Sequence, residues 1–190
     1  MKLLKLLAVA FFFSISNSAL ADEAGVVGER LKAYWRVFSV AQFDAAADFI
    51  YPKDLAQAKA DFLPIFLDGA KITDPRLRVH ADKYFGNVPL QRRGAISDKE
   101  SYAGINRFIF GTSPELLEMM KGSGVTVTDV KFSSASEATV TYSMQFSNGK
   151  EAEEVEQFTK AGGIWYLRLK QVSENAAAVR KVLLPVAGKK

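Results

Sequence analysis

At Val125 the spacing of apolar residues changes from about 3.6 to 2, which calls for a chain with helices first and an antiparallel sheet second. Before that point Leu31, Tyr34, Trp35 and Phe38 recur at i, i+3, i+4 and i+7, predicting an amphipathic helix from Gly28 to about Gln42. Phe43, Ala46, Ala47 and Ile50 repeat the spacing through a second, short helix. It stops at Tyr51-Pro52, because the residue before a proline is pushed out of the α region. Leu55, Ala58, Phe62 and Leu63 mark a third helix, kinked or ended at Pro64, which lacks a backbone donor and crowds the preceding turn. Residues 70–96 are the least regular part. Thr73-Asp74-Pro75 and Gly86-Asn87-Val88-Pro89 read as turns, with Leu77-Arg78-Val79-His80-Ala81 as a short alternating strand between them. Ser97-Asp98-Lys99-Glu100 then has the spacing of a capping box and opens a further helix. Ser113-Pro114-Glu115 opens another, with serine as cap and proline at the first helical position, ending at Gly122 or Gly124.

Beyond Val125 the pattern predicts a four-stranded antiparallel meander. Val125–Phe132 is the first strand. Ala138, Val140, Tyr142, Met144 and Phe146 line one face of the second, with Thr139, Thr141, Ser143 and Gln145 opposite. Asn148-Gly149 carries the signature of a type I′ hairpin turn. Glu151–Lys160 is the third strand, Ala161-Gly162-Gly163 the next turn, and Ile164–Gln171 the fourth strand. From Ser173 the tail reads as a short helix carrying Val179, Val182 and Leu183 and ended by Pro185.

The first residues carry an address. Met1-Lys2-Leu3-Leu4-Lys5 is a short cationic start, Leu6 to Phe13 an uncharged apolar run, and Ala19-Leu20-Ala21 a small-x-small cleavage site followed by Asp22-Glu23. This is the layout of a cleaved secretory signal peptide, too short to span a membrane. The expectation is a leader at 1–21 and one exported α+β domain at 22–190, periplasmic or extracellular and not integral to a membrane. Without the leader's Lys2 and Lys5 the net charge of +4 falls to +2. The remaining basic pairs are too scattered for a nucleic-acid stripe. The chain has no cysteine, so thiol nucleophiles, Cys-based metal sites and disulfides are excluded and stability must come from the core.

The order of helices then meander, the Phe43-to-Tyr51 stretch after the first helix, and a last strand opened by Gly162-Gly163-Ile164-Trp165-Tyr166-Leu167 resemble the nuclear transport factor 2-like superfamily over roughly Gly28 to Gln171. The long segment from Ala70 to Ile96 and the helical stretch from Ser97 to Gly122 depart from it. The resemblance implies an α+β fold whose helices pack into the hollow of a curved four-stranded sheet, forming a cone. It implies no single activity, because the superfamily includes isomerases, dehydratases, transport adaptors and assembly domains. Its enzymes typically hold an aspartate or a histidine–aspartate pair in the cone.

Only a few residues offer chemistry. His80 is the sole histidine, with Asp82 and Tyr84 at i+2 and i+4. On a strand the three would share a face, His80 as base, Asp82 orienting it and Tyr84 donating a hydrogen bond. The other reading of His80 is a surface histidine in a loop-rich region. Asp44 and Asp48 flank the apolar stripe of the second helix and read as a solvated face. Glu151, Glu153, Glu154 and Glu156 crowd one strand, with Glu151 and Glu153 on one side and Glu154 and Glu156 on the other. They read as an exposed or edge strand rather than a cation site. Gly122-Ser123-Gly124 precedes a strand, so no helix N-terminus waits for a phosphate. No metal and no cofactor is expected.

What remains is an aromatic supply, Trp35, Phe38, Tyr51, Phe62, Tyr142, Met144, Trp165 and Tyr166, fit either for an ordinary core or for the apolar lining of a pocket. The first functional reading is a non-catalytic domain that binds an apolar or amphipathic small molecule, or a partner protein, in its cone. The second is a cofactor-free isomerase, dehydratase or hydrolase using His80 and Asp82. The third is an assembly module that dimerises through the outer sheet face, so both monomer and homodimer stay open.

Overall fold

The computed structural model describes residues 21–72 and 74–184. The leader expected at 1–21, apart from Ala21, lies outside them, as do Thr73 and the helix stop at Pro185. The chain is α+β, with seven helices among the described residues and one open four-stranded antiparallel sheet. Helix α1 is helical over 21–38, reaching further back than the apolar spacing marks. After it come α2 (Phe43–Ala46), continued by a 3-10 turn at Ala47–Phe49, and α3 (Pro52–Leu67). Pro64 neither ends nor caps α3. It is exposed in the last turn, and the helix runs on to Leu67.

The expected strand at 77–81 is instead part of helix α4 (Pro75–Phe85). The Asp74 side chain caps it by accepting from the Arg76 N–H at 2.8 Å, and Pro75 fills the first helical position, where its missing N–H costs nothing. Its buried residues Ala81, Tyr84 and Phe85 lie at helical spacing. Helix α5 (Asp98–Thr112) starts with the capping box: the Glu100 N–H donates to Ser97 Oγ at 3.1 Å and the Ser97 N–H to Glu100 Oε2 at 2.6 Å. Helix α6 (Pro114–Met120) begins at its proline as expected, although the Ser113 hydroxyl makes no cap.

Strands β1 (Gly124–Ser134), β2 (Glu137–Gln145), β3 (Glu151–Ala161) and β4 (Ile164–Leu167) pair in sequence order. The β2 alternation holds: Ala138, Val140, Tyr142 and Met144 are buried, and Thr139, Thr141 and Ser143 lie on the other side. The turn at Asn148-Gly149 is not type I′. Only Gly149 has a positive φ, of 79°, and its N–H closes on the Phe146 carbonyl at 3.0 Å. One left-handed residue after the turn fits a three-residue loop, whereas type I′ needs two. Gly162 and Gly163, with φ of 58° and 82°, supply two such residues between β3 and β4. The fourth strand stops at Leu167 rather than Gln171, and α7 (Val172–Leu183) follows. Ile50 bridges Leu167 in parallel and the Tyr51 N–H donates to the Leu167 carbonyl at 2.9 Å, which covers the β4 edge.

Two hydrophobic cores result. The first lies on the sheet: Val27, Leu31, Tyr34 and Phe38 of α1 and Phe43 of α2 pack against Val140, Tyr142, Met144, Phe158 and Trp165. The second is all helical, with Phe62, Ile65 and Phe66 of α3, Tyr84 and Phe85 of α4, Ile105 and Phe108 of α5, and Ala176 and Leu183 of α7. Helix α5 belongs to both, giving Tyr102 and Ala103 to the first and Ile105 and Phe108 to the second. Phe66 stacks on Tyr84 with ring centroids 4.0 Å apart. Helix α5 comes so close behind that a Cβ at Gly104 would overlap the Tyr84 carbonyl oxygen, which makes glycine the only side chain that fits.

Candidate functional site

The residues expected to do acid–base chemistry do not converge. On a helix, residues two apart point in nearly opposite directions, so α4 separates His80 from Asp82. Asp82 is exposed and accepts from Arg93 at 3.2 Å. Tyr84 is fully buried and shares a hydrogen bond of 2.5 Å with Ser101 Oγ. Burial pushes its phenol up to about 12, so it stays neutral. His80 lies beside Gly111 of α5. The period-2 reading that gave the three a common face fails with the strand it assumed.

The aromatic residues divide. Trp35, Tyr142 and Met144 are absorbed by the sheet-side core, and Trp35 lies 6.2 Å from Tyr142 between ring centroids. Trp165 is buried and donates its indole N–H to Glu23 at 2.6 Å. Glu23 also holds Lys160 at 2.6 Å, and this ties α1 to the sheet. The hydrogen bond from Lys160, then that from Trp165, keeps the Glu23 carboxyl below the usual range. Tyr51 and Tyr166 meet at the β4 edge with centroids 6.3 Å apart, Arg168 standing 5.0 Å over Tyr51 and Arg30 5.9 Å over Tyr166. Of the eight, Phe38 and Phe62 line a cavity between α1, α3, α5 and α7.

That cavity, about 480 Å³, opens along the seam where the two cores meet. Its floor is buried: Tyr34 and Phe38 from α1, Ala58 and Phe62 from α3, and Tyr102, Ile105 and Asn106 from α5. Its rim comes from the β4–α7 connection and α7, through Leu169, Lys170, Val172, Asn175, Ala178 and Val179, with Ile109 of α5 facing them. The connection turns sharply at Gln171, whose φ of 51° places a non-glycine residue in the left-handed region and swings α7 over the opening.

Polar groups gather at the inner end. The Tyr34 and Tyr102 hydroxyls lie 3.0 Å apart and share one hydrogen bond. Asn106 donates from its side-chain amide to the Tyr102 carbonyl at 2.9 Å. Burial, with the Glu156 charge adding to it, raises Tyr34 well above its ordinary value and pushes Tyr102 up to about 12. Both are therefore neutral donors. Glu156 itself sits half-buried on the inward side of β3, a place the expected exposed strand does not give it; Glu151, Glu153 and Glu154 are exposed as expected. Burial raises the Glu156 pKa, and Lys170 at 3.0 Å pulls part of the way back. Lys170 reaches the rim; Glu156 stands behind it and does not line the cavity. Asp44 and Asp48 are exposed, paired with Arg107 and Lys99.

A further polar cluster escaped the sequence. Asp54, buried in the first turn of α3, takes Arg168 in two bonds of 2.8 and 3.2 Å and the Leu169 N–H at 2.9 Å. This fork-to-fork pair locks α3 to the end of β4 and so fixes where the rim of the cavity begins. No local signal marks it, because its partners are more than a hundred residues apart.

Among the described residues no helix is long and apolar enough to cross a membrane. No protein-family profile and no curated protein matches the chain. One solved structure was found, the solution structure of a SEC-C motif containing protein from Rhodopseudomonas palustris. It is 19% identical, covers 58% of this chain and 88% of its own, and has a TM-score of 0.23, an overlap too slight to bear on fold or function.

Proposed function

We propose that this chain is an exported, non-catalytic binding protein of nuclear transport factor 2-like architecture, and that it takes an apolar or amphipathic small molecule in the cavity along the seam of its two cores. The observation that carries this reading is the cavity itself: about 480 Å³ lined mostly by apolar side chains, with the polar groups of Tyr34, Tyr102 and Asn106 on its floor and Lys170 and Asn175 on its rim. A hollow of that size, with seven buried floor residues and an open rim, suits a ligand of modest size better than a protein surface. The superfamily reading draws support from helices gathered on one face of a four-stranded antiparallel meander. Here, however, the hollow against the sheet is filled by the chain's own aromatics, and the pocket is moved to the helical side. Export rests on the leader pattern at 1–21. Acid–base catalysis loses its support when α4 turns Asp82 away from His80 and buries Tyr84 against Ser101, and the raised carboxylate of Glu156 faces Lys170 instead of the cavity.

Native mass spectrometry of protein expressed with its leader and purified from a bacterial periplasm tests this directly. The expected result is a mass starting at Asp22 with a small-molecule adduct that disappears on denaturation. A chain recovered only in the cytosol with Met1 in place contradicts the export reading. A cavity that takes up no apolar dye, such as Nile red, in the purified protein contradicts the binding reading.

A further inference from the structure

We propose that the cavity selects a neutral ligand bearing a hydrogen-bond acceptor oxygen, a ketone, ester or amide carbonyl on an apolar body, and that the Tyr34–Tyr102 pair is the group that reads that oxygen. The proposal rests on the binding role just assigned to the cavity. Two phenolic hydroxyls carry two protons, and one bond between them uses one. Among the described residues the one other hydrogen-bonding side chain at the pair is Asn106, which acts on Tyr102 as a donor and takes up no hydroxyl proton. One O–H therefore remains at a buried site lined by Phe38, Phe62, Ile105 and Leu169. An unpaired buried donor is costly, and an acceptor brought by a ligand relieves that cost.

The surroundings decide which acceptor. An anionic head group would have to shed its hydration on an apolar floor whose inner polar groups, Tyr34, Tyr102 and Asn106, carry no positive charge. Lys170, the one cation on the lining, is already paired with Glu156 at 3.0 Å and also donates to the Val155 carbonyl. With Glu156 already paired to Lys170, a cationic head group would find only neutral acceptors, the phenol oxygens and the Asn106 side-chain carbonyl, and would carry an uncompensated charge onto an apolar floor. A neutral carbonyl oxygen takes the free hydroxyl proton and brings no charge into an apolar floor.

The test is a matched ten-carbon series, decan-2-one, decanoate and decylammonium, each measured by displacement of Nile red from the purified protein at pH 7.5. The expected order places decan-2-one tightest, with the two charged probes at least about tenfold weaker, in keeping with one hydrogen bond gained against a charge desolvated. In the double variant Tyr34→Phe/Tyr102→Phe, the preference for decan-2-one over undecane, which has no acceptor oxygen, is expected to fall about tenfold. Decanoate or decylammonium binding as tightly as the ketone overturns the proposal without needing any variant. An unchanged preference in a double variant whose far-ultraviolet circular dichroism matches the parent overturns it too. Failure of Nile red to load at all overturns the cavity reading itself, and the two failures are thus told apart.

Discussion

Against the sheet, Tyr34, Phe38, Phe43 and Phe110 follow one another with centroid separations of 5.2 to 5.8 Å, and the last two stack within 10° of parallel. Large flat side chains there pack ring against ring between α1, α2 and α5, on the sheet-side core. Along α7 the residues that meet the same α1 and α5 surface are Asn175, Ala178 and Val179, short or exposed, and the seam stays open. Ala176 and Leu183 are the residues through which the helix is buried in the helical core. Side-chain size at a few positions of one helix separates a filled hollow from a cavity, within a single fold and with the same partners underneath.

If the sheet side is filled, removing a ring from it should cost heavily. Phe158→Ala takes a fully buried ring from the middle of that core and should destabilise the protein by about 3–5 kcal/mol in urea unfolding. A loss below about 1 kcal/mol would mean that this core is not close-packed. On the helical side the tight place is Gly104. Ala is the better helix former there by about 1 kcal/mol in isolation, yet its Cβ would collide with the Tyr84 carbonyl, so a net loss of about 2 kcal/mol is expected. A stabilised Gly104→Ala would show that α4 and α5 can separate. Asp54→Ala should cost about 2 kcal/mol, since it leaves Arg168 and the Leu169 N–H without their acceptor. It should also raise hydrogen exchange at residues 168–172, at the cavity rim, while β1 and β2 keep their protection.

The smallest effects set the two sides against each other through pH. Glu23, tied to the sheet, has its pKa lowered from 4.5 on folding, so its contribution is present above that value and is lost as pH falls through the lower folded value. Glu23→Gln should thus be less stable than the parent at pH 7, and the gap should close below pH 4.5. Glu156, behind the cavity, has its pKa raised from 4.5, so ionisation opposes folding above the raised value and the penalty vanishes below 4.5. Glu156→Gln should be slightly more stable than the parent at pH 7 and equal to it in acid. Thermal unfolding of the three proteins across pH 3.5 to 8 reads both signs, and the same sign for both would break the contrast.

Much of the fold was legible because local chemistry and burial agree. The Ser97–Glu100 capping box, the β2 alternation and the Gly162-Gly163 turn each need only their neighbours in sequence. The signals for helix α4 are present in the sequence: Asp74-Pro75 repeats the polar-residue-then-proline pattern of Ser113-Pro114, and Leu77, Ala81, Tyr84 and Phe85 keep the helical period. Five alternating residues at 77–81 competed with it, and a stretch that short does not separate period 2 from 3.6. The Asn148-Gly149 turn failed for a different reason, because loop length and not the dipeptide chooses the turn. For the site, Phe38 and Phe62 were found as aromatics, while Tyr102 and Asn106 were not. Their i, i+4 spacing on the inward side of a capped helix was the available sign, but only the fold tells which inward positions face an open seam.

The most direct measurement is methyl-resolved NMR of the purified protein during titration with decan-2-one. The seam account predicts that signals of Ile105, Ile109, Leu169, Val172 and Val179 move together and saturate, while those of Val127, Val140 and Leu167 in the sheet-side core stay in place. Saturable shifts at Val127, Val140 and Leu167 with the α5 and α7 methyls unmoved would place the binding hollow against the sheet and contradict it.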